Sequence, residues 1–320
     1  MIATFDRRFF APAPAERLAA LRLIVGTFGV VYLAIRSLHI FNVARLPAGR
    51  FEPVGVIGLL DEPAPLWAVR AVVVVSLVAG VAFVAGWHFR IAAPIYAVGL
   101  VVALSYANSW QHVAHTENLI VLHTAVLAIA PAALVWSRDS RRSTAATASE
   151  WPAPAALFGW PVRLMTLLTV ITYVLAGVAK LRHGGFDWVT GDVLRNLVAH
   201  DNLRKITLGD VHSPIGGWIV RYGWLFPPLA LASLAVELGA PLALLGGRIR
   251  MVWIVAAWFF HLGVLLLMAI LFIYPLSLVA YASMLQPEVL FRRVGGTVTR
   301  RRARPASNSA PIAAYGPRDA

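Results

Sequence analysis

Long apolar runs alternate with short charged breaks along the 320 residues of the chain. A helix needs about 20 mostly apolar residues to cross a hydrocarbon layer of roughly 30 Å. Such runs fall at 18–38, 66–86, 91–109, 117–136, 162–181 and 225–246, followed by a longer stretch over 251–286. At about 1.5 Å per residue that stretch exceeds one crossing, even a tilted one. The segment "LLLMAILFIYP" offers a break near Met268–Pro275, because helices stop before a proline. The pattern predicts an all-α polytopic transmembrane bundle of eight helices, with seven as the competing count.

One segment has a different rhythm. In "VLRNLVAHDNLRKI" (193–206), Val193, Leu194, Leu197 and Val198 gather on one side, with Arg195, Asn196 and Asp201 elsewhere. This predicts an amphipathic helix lying flat on the outer membrane surface. No repeat of fixed period and no inverted half-repeat is visible, which argues against a transporter.

Composition agrees with the membrane reading. Hydrophobic residues make up 59% and charged residues 13%, against about 45–50% and 25% in soluble chains. The net charge of +13 raises the question of nucleic acid. The basic residues, however, lie in short clusters between apolar runs, as in cytoplasmic membrane loops, and no nucleic-acid partner is expected. With no cysteine, disulfides, thiolate metal sites and cysteine nucleophiles are excluded.

Charge asymmetry bears on the count. With eight spans and the N-terminus inside, inner segments carry Arg7, Arg8 and Arg17, then Arg90, then Arg138, Arg141 and Arg142, then Arg248 and Arg250. The long outer loops 39–65 and 182–224 mix arginines with acids such as Glu52, Asp61, Asp187 and Asp210. The positive-inside rule therefore favours eight spans with both termini in the cytoplasm. The apolar run after Arg17 is too long for a signal-peptide core, so it reads as the first span. The expected organisation is a cytoplasmic segment over 1–17, a transmembrane domain over 18–290 and a disordered basic cytoplasmic tail over 291–320. Strong Ala, Val and Arg usage fits a GC-rich bacterial genome, and hence a multi-pass protein of the inner (plasma) membrane, with the lipid bilayer as its surroundings and no protein partner identifiable.

Only two of the 28 basic side chains are lysines, Lys180 and Lys205. Lys180 ends the apolar run of "YVLAGVAKLRHGGFDWVTG" (173–191), at the outer end of the fifth span. An arginine keeps its charge almost anywhere, whereas a desolvated lysine gives up its proton and can act as a base. The plainer alternative is a lysine whose stem lies in lipid while its ammonium reaches the headgroups. Other ionisable groups sit in or near the spans: His112, His115, Glu117 and His123 around the start of the fourth, Glu237 in the sixth and His261 in the seventh. Such residues are costly in lipid and usually face a bundle interior. Glu237 and His261 fall at comparable depths and could pair, either to fix the ring tautomer or simply to join two helices. His112 and His115 lack a fixed ligand spacing with Glu117, and no metal is expected.

The lysine block resembles the signature of vitamin K-dependent γ-carboxylases and their bacterial relatives, the horizontally transferred transmembrane (HTTM) domain family. The likeness is carried by Tyr173, Ala176, Gly177, Lys180, Leu181, Trp188 and Gly191. Upstream, Gly86 and Arg90 resemble the family's Gly-x-x-x-Arg turn, and Ser109, Trp110 and His115 its Ser-Trp…His stretch. Downstream, Phe260, His261, Phe272 and Pro275 resemble its Phe-His segment and following break. The resemblance implies a lysine that deprotonates a membrane quinol of the menaquinol or vitamin K type, on the outer side, assisted by a histidine. It assigns the chemistry to Lys180, to His112 or His115, and to His261. Tyr173, Trp188, Trp110, Glu237 and Arg90 would hold the quinol. The loop before Trp188 is longer than in the carboxylases, and their large non-membrane region has no counterpart here. Carboxylation of a docked protein is therefore not implied. The alternative is a non-catalytic module that binds a lipid or a partner on the same scaffold.

Overall fold

The computed structural model describes residues 2–110, 115–143 and 153–293. A short helix α1 (Ile2–Phe9) precedes α2 (Ala15–Val43), α3 (Leu66–Ala85), α4 (Phe89–Asn108) and α5 (Asn118–Ile129). After α6 (Arg138–Ser143) come α7 (Ala156–Gly184), α8 (Asp187–Thr190), α9 (Val193–Thr207) and α10 (Pro214–Ile219). Then follow α11 (Phe226–Leu238), α12 (Gly247–Met268) and α13 (Ile273–Leu276). Short 3-10 turns extend α11 over Ala240–Leu245 and α13 over Val279–Met284.

Apolar character runs all the way round these helices. In α3, Val69, Val73, Ser76, Gly80 and Phe83 are buried while Val74, Val75, Val78 and Val81 are exposed. Valine on both faces suits lipid outside and protein inside. Five helices, α2, α3, α4, α7 and α12, are long and apolar enough to cross a membrane. Small residues let them approach closely, as in membrane helix packing. A Cβ on Gly80 of α3 would lie 2.7 Å from Val30 of α2 and 2.8 Å from the Tyr96 ring of α4.

Contacts between segments fix two ends of the bundle. At one end the start of α2 meets the α3–α4 turn, where buried Arg22 lies against Gly86. Arg22 also donates to Trp136 O beyond α5, at 2.5 Å. Ala13 pairs with Ala155 before α7. Arg250, near the start of α12, donates to Met284 O, and Arg17 binds Glu288 at 2.6 Å. This arginine end carries both limits of the described chain. At the opposite, lysine end, Arg36 of α2 reaches Glu117 before α5 at 3.0 Å. Between these ends the five long helices are joined by the shorter apolar helices Asn118–Ile129 and Gly223–Leu238.

Several boundaries depart from the hydropathy pattern. The expected span 117–136 stops at Ile129: Ala130 is extended (ψ 154°), as the residue before Pro131 must be. The expected span 225–246 changes to a 3-10 turn at Gly239–Ala240, next to Pro241. The break near Met268–Pro275 is present, with Ala269 in the left-handed region (φ 51°) and α13 starting at Ile273. The expected disordered tail begins too early, because 287–293 is helical and held by Arg17–Glu288 and Arg292–Glu16. The rest of that tail lies outside the described residues.

α12 ends in mid-apolar sequence, and its last carbonyls need partners away from water. Three side chains supply them. Ser213 Oγ donates to Leu266 O, Asn202 Nδ2 to Leu267 O at 2.8 Å, and Lys205 Nζ to Met268 O. Asn202 also accepts from Ser213 N at 2.7 Å. The amphipathic helix expected over 193–206 is α9, but its buried face differs: Val198, Asn202 and Lys205 face inward while Leu197, Leu203 and Ile206 are exposed. Anchoring carbonyls, rather than burying leucines, sets its orientation.

Candidate functional site

Tyr173, Gly177 and Lys180 follow an i, i+4, i+7 spacing and share one face of α7. Gly177 brings α11 against that face, since a Cβ there would lie 2.8 Å from Leu238 Cδ2 and 3.1 Å from Glu237 Cβ. The approach places Glu237 beside Lys180, whose Nζ donates to both carboxylate oxygens at 2.6 and 2.7 Å. The lysine side chain is 21% exposed and the glutamate's 4%. Just past α7, Gly185 adopts φ 55°, ψ −142°, a conformation reserved for glycine. The chain then turns through α8 and lays Trp188 back over the end of α7. The amine thus lies 5.1 Å from the Trp188 ring centroid and 5.1 Å from that of Phe260 on α12. Two aromatic faces and one carboxylate surround a single ammonium.

A second polar group lies deeper. Tyr173 Oη is 2.6 Å from Tyr281 Oη and 3.3 Å from His261 Nδ1. The same ring nitrogen is 2.9 Å from Ala257 O one turn back, so a proton on Nδ1 would donate to that carbonyl. Phe260 and Phe272 pack edge-on against the imidazole at 5.0 and 4.9 Å, and Trp253 against Tyr173 at 5.0 Å. The pairing expected between Glu237 and His261 is replaced, because both carboxylate oxygens accept from Lys180. Equal depth was the wrong criterion. Glu237 shares its face of α11 with Ala230 and Ser233, and that face turns to α7 and α8, where Trp188 Nε1 meets Ser233 Oγ at 3.4 Å.

The other candidates disperse. Trp110 is buried in a different core cluster, against Phe51 and Tyr106 at 5.1 and 5.9 Å. Arg90 is exposed in the first turn of α4, at the arginine end and so across the bundle from Lys180. His112 lies outside the described residues. His115 begins a 3-10 turn over His115–Glu117, and its side chain lies outside them too. Glu117, buried at the lysine end, accepts from Tyr32 at 2.6 Å and Arg36 at 3.0 Å. His123 is fully buried, with Nδ1 2.8 Å from Tyr274 Oη and Nε2 3.1 Å from Met165 O, which is the pattern of a satisfied core histidine. Among the described residues no cluster of three metal-ligating side chains occurs. The sequence reading overlooked Tyr281 and Ser233, and it gave Phe260 a place in the resemblance but none beside Lys180. A tyrosine hydroxyl inside an apolar run was the signal available for the first.

An all-α bundle with five membrane-length helices and ion pairs buried between them defines a polytopic membrane protein. A family model described as the HTTM domain matches residues 10–288, well over half of the chain, and the chain belongs to that family. No curated protein and no solved structure matches it significantly.

Proposed function

We propose that the Lys180–Glu237 pair, walled by Trp188 and Phe260, is the proton-handling centre of a quinol-dependent enzyme in a bacterial inner membrane. The arginine end would face the cytoplasm, as the positive-inside rule asks, which sets Lys180 at the outer face. The observation that carries the reading is the carboxylate of Glu237 held against the amine, with both oxygens within 2.7 Å. An ammonium has no lone pair to offer, so Lys180 can accept a proton from a ligand only after releasing one, and Glu237 at 2.6 Å is placed to take it. Trp188 and Phe260 supply flat apolar faces suited to an aromatic ring, and the amine between them suits a developing phenolate. A bound quinol would contribute the phenolic proton and the reducing electrons. His261, tied to Tyr173, sits beyond Phe260 and positions that wall.

Reduced menaquinone should raise the unfolding midpoint of the detergent-purified protein, with a smaller rise in Lys180→Met. Lys180→Arg should bind the quinol yet lose its turnover, because a guanidinium does not give up its proton. Full turnover in Lys180→Arg would end the proton-transfer role.

A second reading rests on the same geometry. A lysine held by both oxygens of a buried carboxylate is also a good fastener between two membrane helices. The scaffold would then be a non-catalytic module binding a lipid or a partner. It predicts that Lys180→Arg is silent and that menaquinone stabilises neither form.

A further inference from the structure

At the arginine end, away from the Lys180 pair, lies a cavity of about 810 Å³. That size is within the roughly 300–1,000 Å³ of small-molecule sites. Five arginines line it: Arg7 and Arg8 of α1, Arg17 of α2, Arg163 of α7 and Arg250 of α12. Four separate helices thus deliver guanidinium groups to one space. No acidic side chain is among the described residues lining it, and the nearby carboxylates Glu16 and Glu288 are already bound by Arg292 and Arg17. Arg17 lies close enough to Arg163 and Arg250 to repel both. Arg163 spends one donor on Gly159 O at 3.0 Å, and Arg250 two, on Ala243 O and Met284 O. The remaining N–H groups of these two planar forks have no protein acceptor among the described residues.

The rest of the wall is mostly apolar, with Val162 and Leu167 of α7, Leu244 and Leu245 of the 3-10 turn after α11, and Leu285. Thr166, Ser283 and Gln286 are its uncharged polar members, and the first two hydroxyls bond each other at 3.1 Å. Concentrated positive charge beside leucine is the wrong environment for a small hydrated anion and the right one for an amphiphile. An arginine cluster matches the geometry of phosphate oxygens, while the leucines match a hydrocarbon chain.

We infer that this cavity binds one anionic phospholipid, whose headgroup brings no cation of its own to the five arginines. Its phosphate sits among Arg8, Arg17, Arg163 and Arg250, and an acyl chain lies along Leu167 of α7 and Leu244 and Leu245 of the 3-10 turn after α11. The lipid would join the end of α1 to the 3-10 turn after α11, the start of α12 and the end of the last apolar segment. This site is independent of the Lys180 proposal and lies at the opposite end of the bundle.

The test is thermal unfolding, together with native mass spectrometry, of the delipidated full chain in detergent. Phosphatidylglycerol, phosphatidylcholine and inorganic phosphate are added separately. Arg8→Gln/Arg163→Gln removes two lining charges without touching the Arg17–Glu288 pair, and Arg141→Gln/Arg142→Gln removes two exposed charges of α6 as a control. Phosphatidylglycerol should raise the midpoint and remain bound as a single molecule. Phosphatidylcholine and phosphate should do neither. At about 1 kcal/mol per basic residue, the lining variant should bind on the order of 30-fold more weakly and the control as the parent does. Equal stabilisation by inorganic phosphate would make this a soluble-anion site and overturn the lipid. Equal weakening in the control would reduce it to diffuse surface attraction, and an absence of bound phosphatidylglycerol would end the proposal. Lys180→Met should leave the phosphatidylglycerol shift unchanged, which separates this outcome from the fate of the quinol reading.

Discussion

The two ends of the bundle treat positive charge in opposite ways. At the lysine end, the cations drawn into the protein are matched with acceptors: Lys180 with Glu237, Lys205 with Asp201 and a helix carbonyl, and Arg36 with Glu117. At the arginine end, Arg17 and Arg292 have carboxylate partners, yet Arg8, Arg163 and Arg250 line a cavity with none among the described residues. Charge matched inside the protein fastens helices or stores a proton. Charge turned toward a cavity is matched only by something that enters it.

The contrast is sharpest in the Lys180–Glu237 pair, whose two halves should not be equivalent. Lys180→Met would leave a carboxylate that is almost fully buried without a partner, at a cost of about 3 kcal/mol in denaturant unfolding. Glu237→Gln leaves a lysine that is partly exposed and can turn to water, so about 1 kcal/mol is expected. Replacing both, as Lys180→Met/Glu237→Leu, should recover most of the loss. Additive losses in the double variant would show that the pair holds nothing. Asn202→Ala should cost about 1–2 kcal/mol, because Leu267 O and Ser213 N lose their partner in a buried place. The smallest effect is expected from Asp201. Burial raises its carboxyl, but hydrogen bonds and charges from Lys205 and Arg204 outweigh that and hold it below the ordinary 3.8. A depressed carboxyl stabilises the fold above its ordinary value and loses that contribution as pH falls through the lower, folded value. Unfolding midpoints of the parent and Asp201→Asn should therefore differ at pH 6 and converge below about 3.8.

Hydropathy made the succession of apolar segments legible, because lipid-facing valine and leucine cannot be disguised. It blurred where helices stop. Pro131 and Pro241 stand inside two of the expected spans, and the α-helix before each stops at Ile129 and at Leu238. The lysine stood out by its rarity and by the resemblance around it. Its partner did not, since depth along a helix says nothing of which face a side chain occupies. Ser233 and Glu237 are one turn apart on α11, and that spacing, read together with Gly177 as the small residue on α7, would have aimed the carboxylate at Lys180. Trp110 and Arg90 were drawn to the site by the resemblance alone. Each sits where its own helix end puts it, in the other core cluster and at the other end.

The three caps on α12 have a consequence for how the chain is made. Ser213, Asn202 and Lys205 precede the carbonyls they satisfy by 53, 65 and 63 residues. Synthesis runs from the N-terminus, so the acceptor ends of α12 emerge only after their donors are already in hand. The reverse order would leave bare carbonyls waiting in lipid, with misinsertion as the alternative to patience. The connection between α7 and α11 works as a receiving dock, laid down before the helix that moors to it.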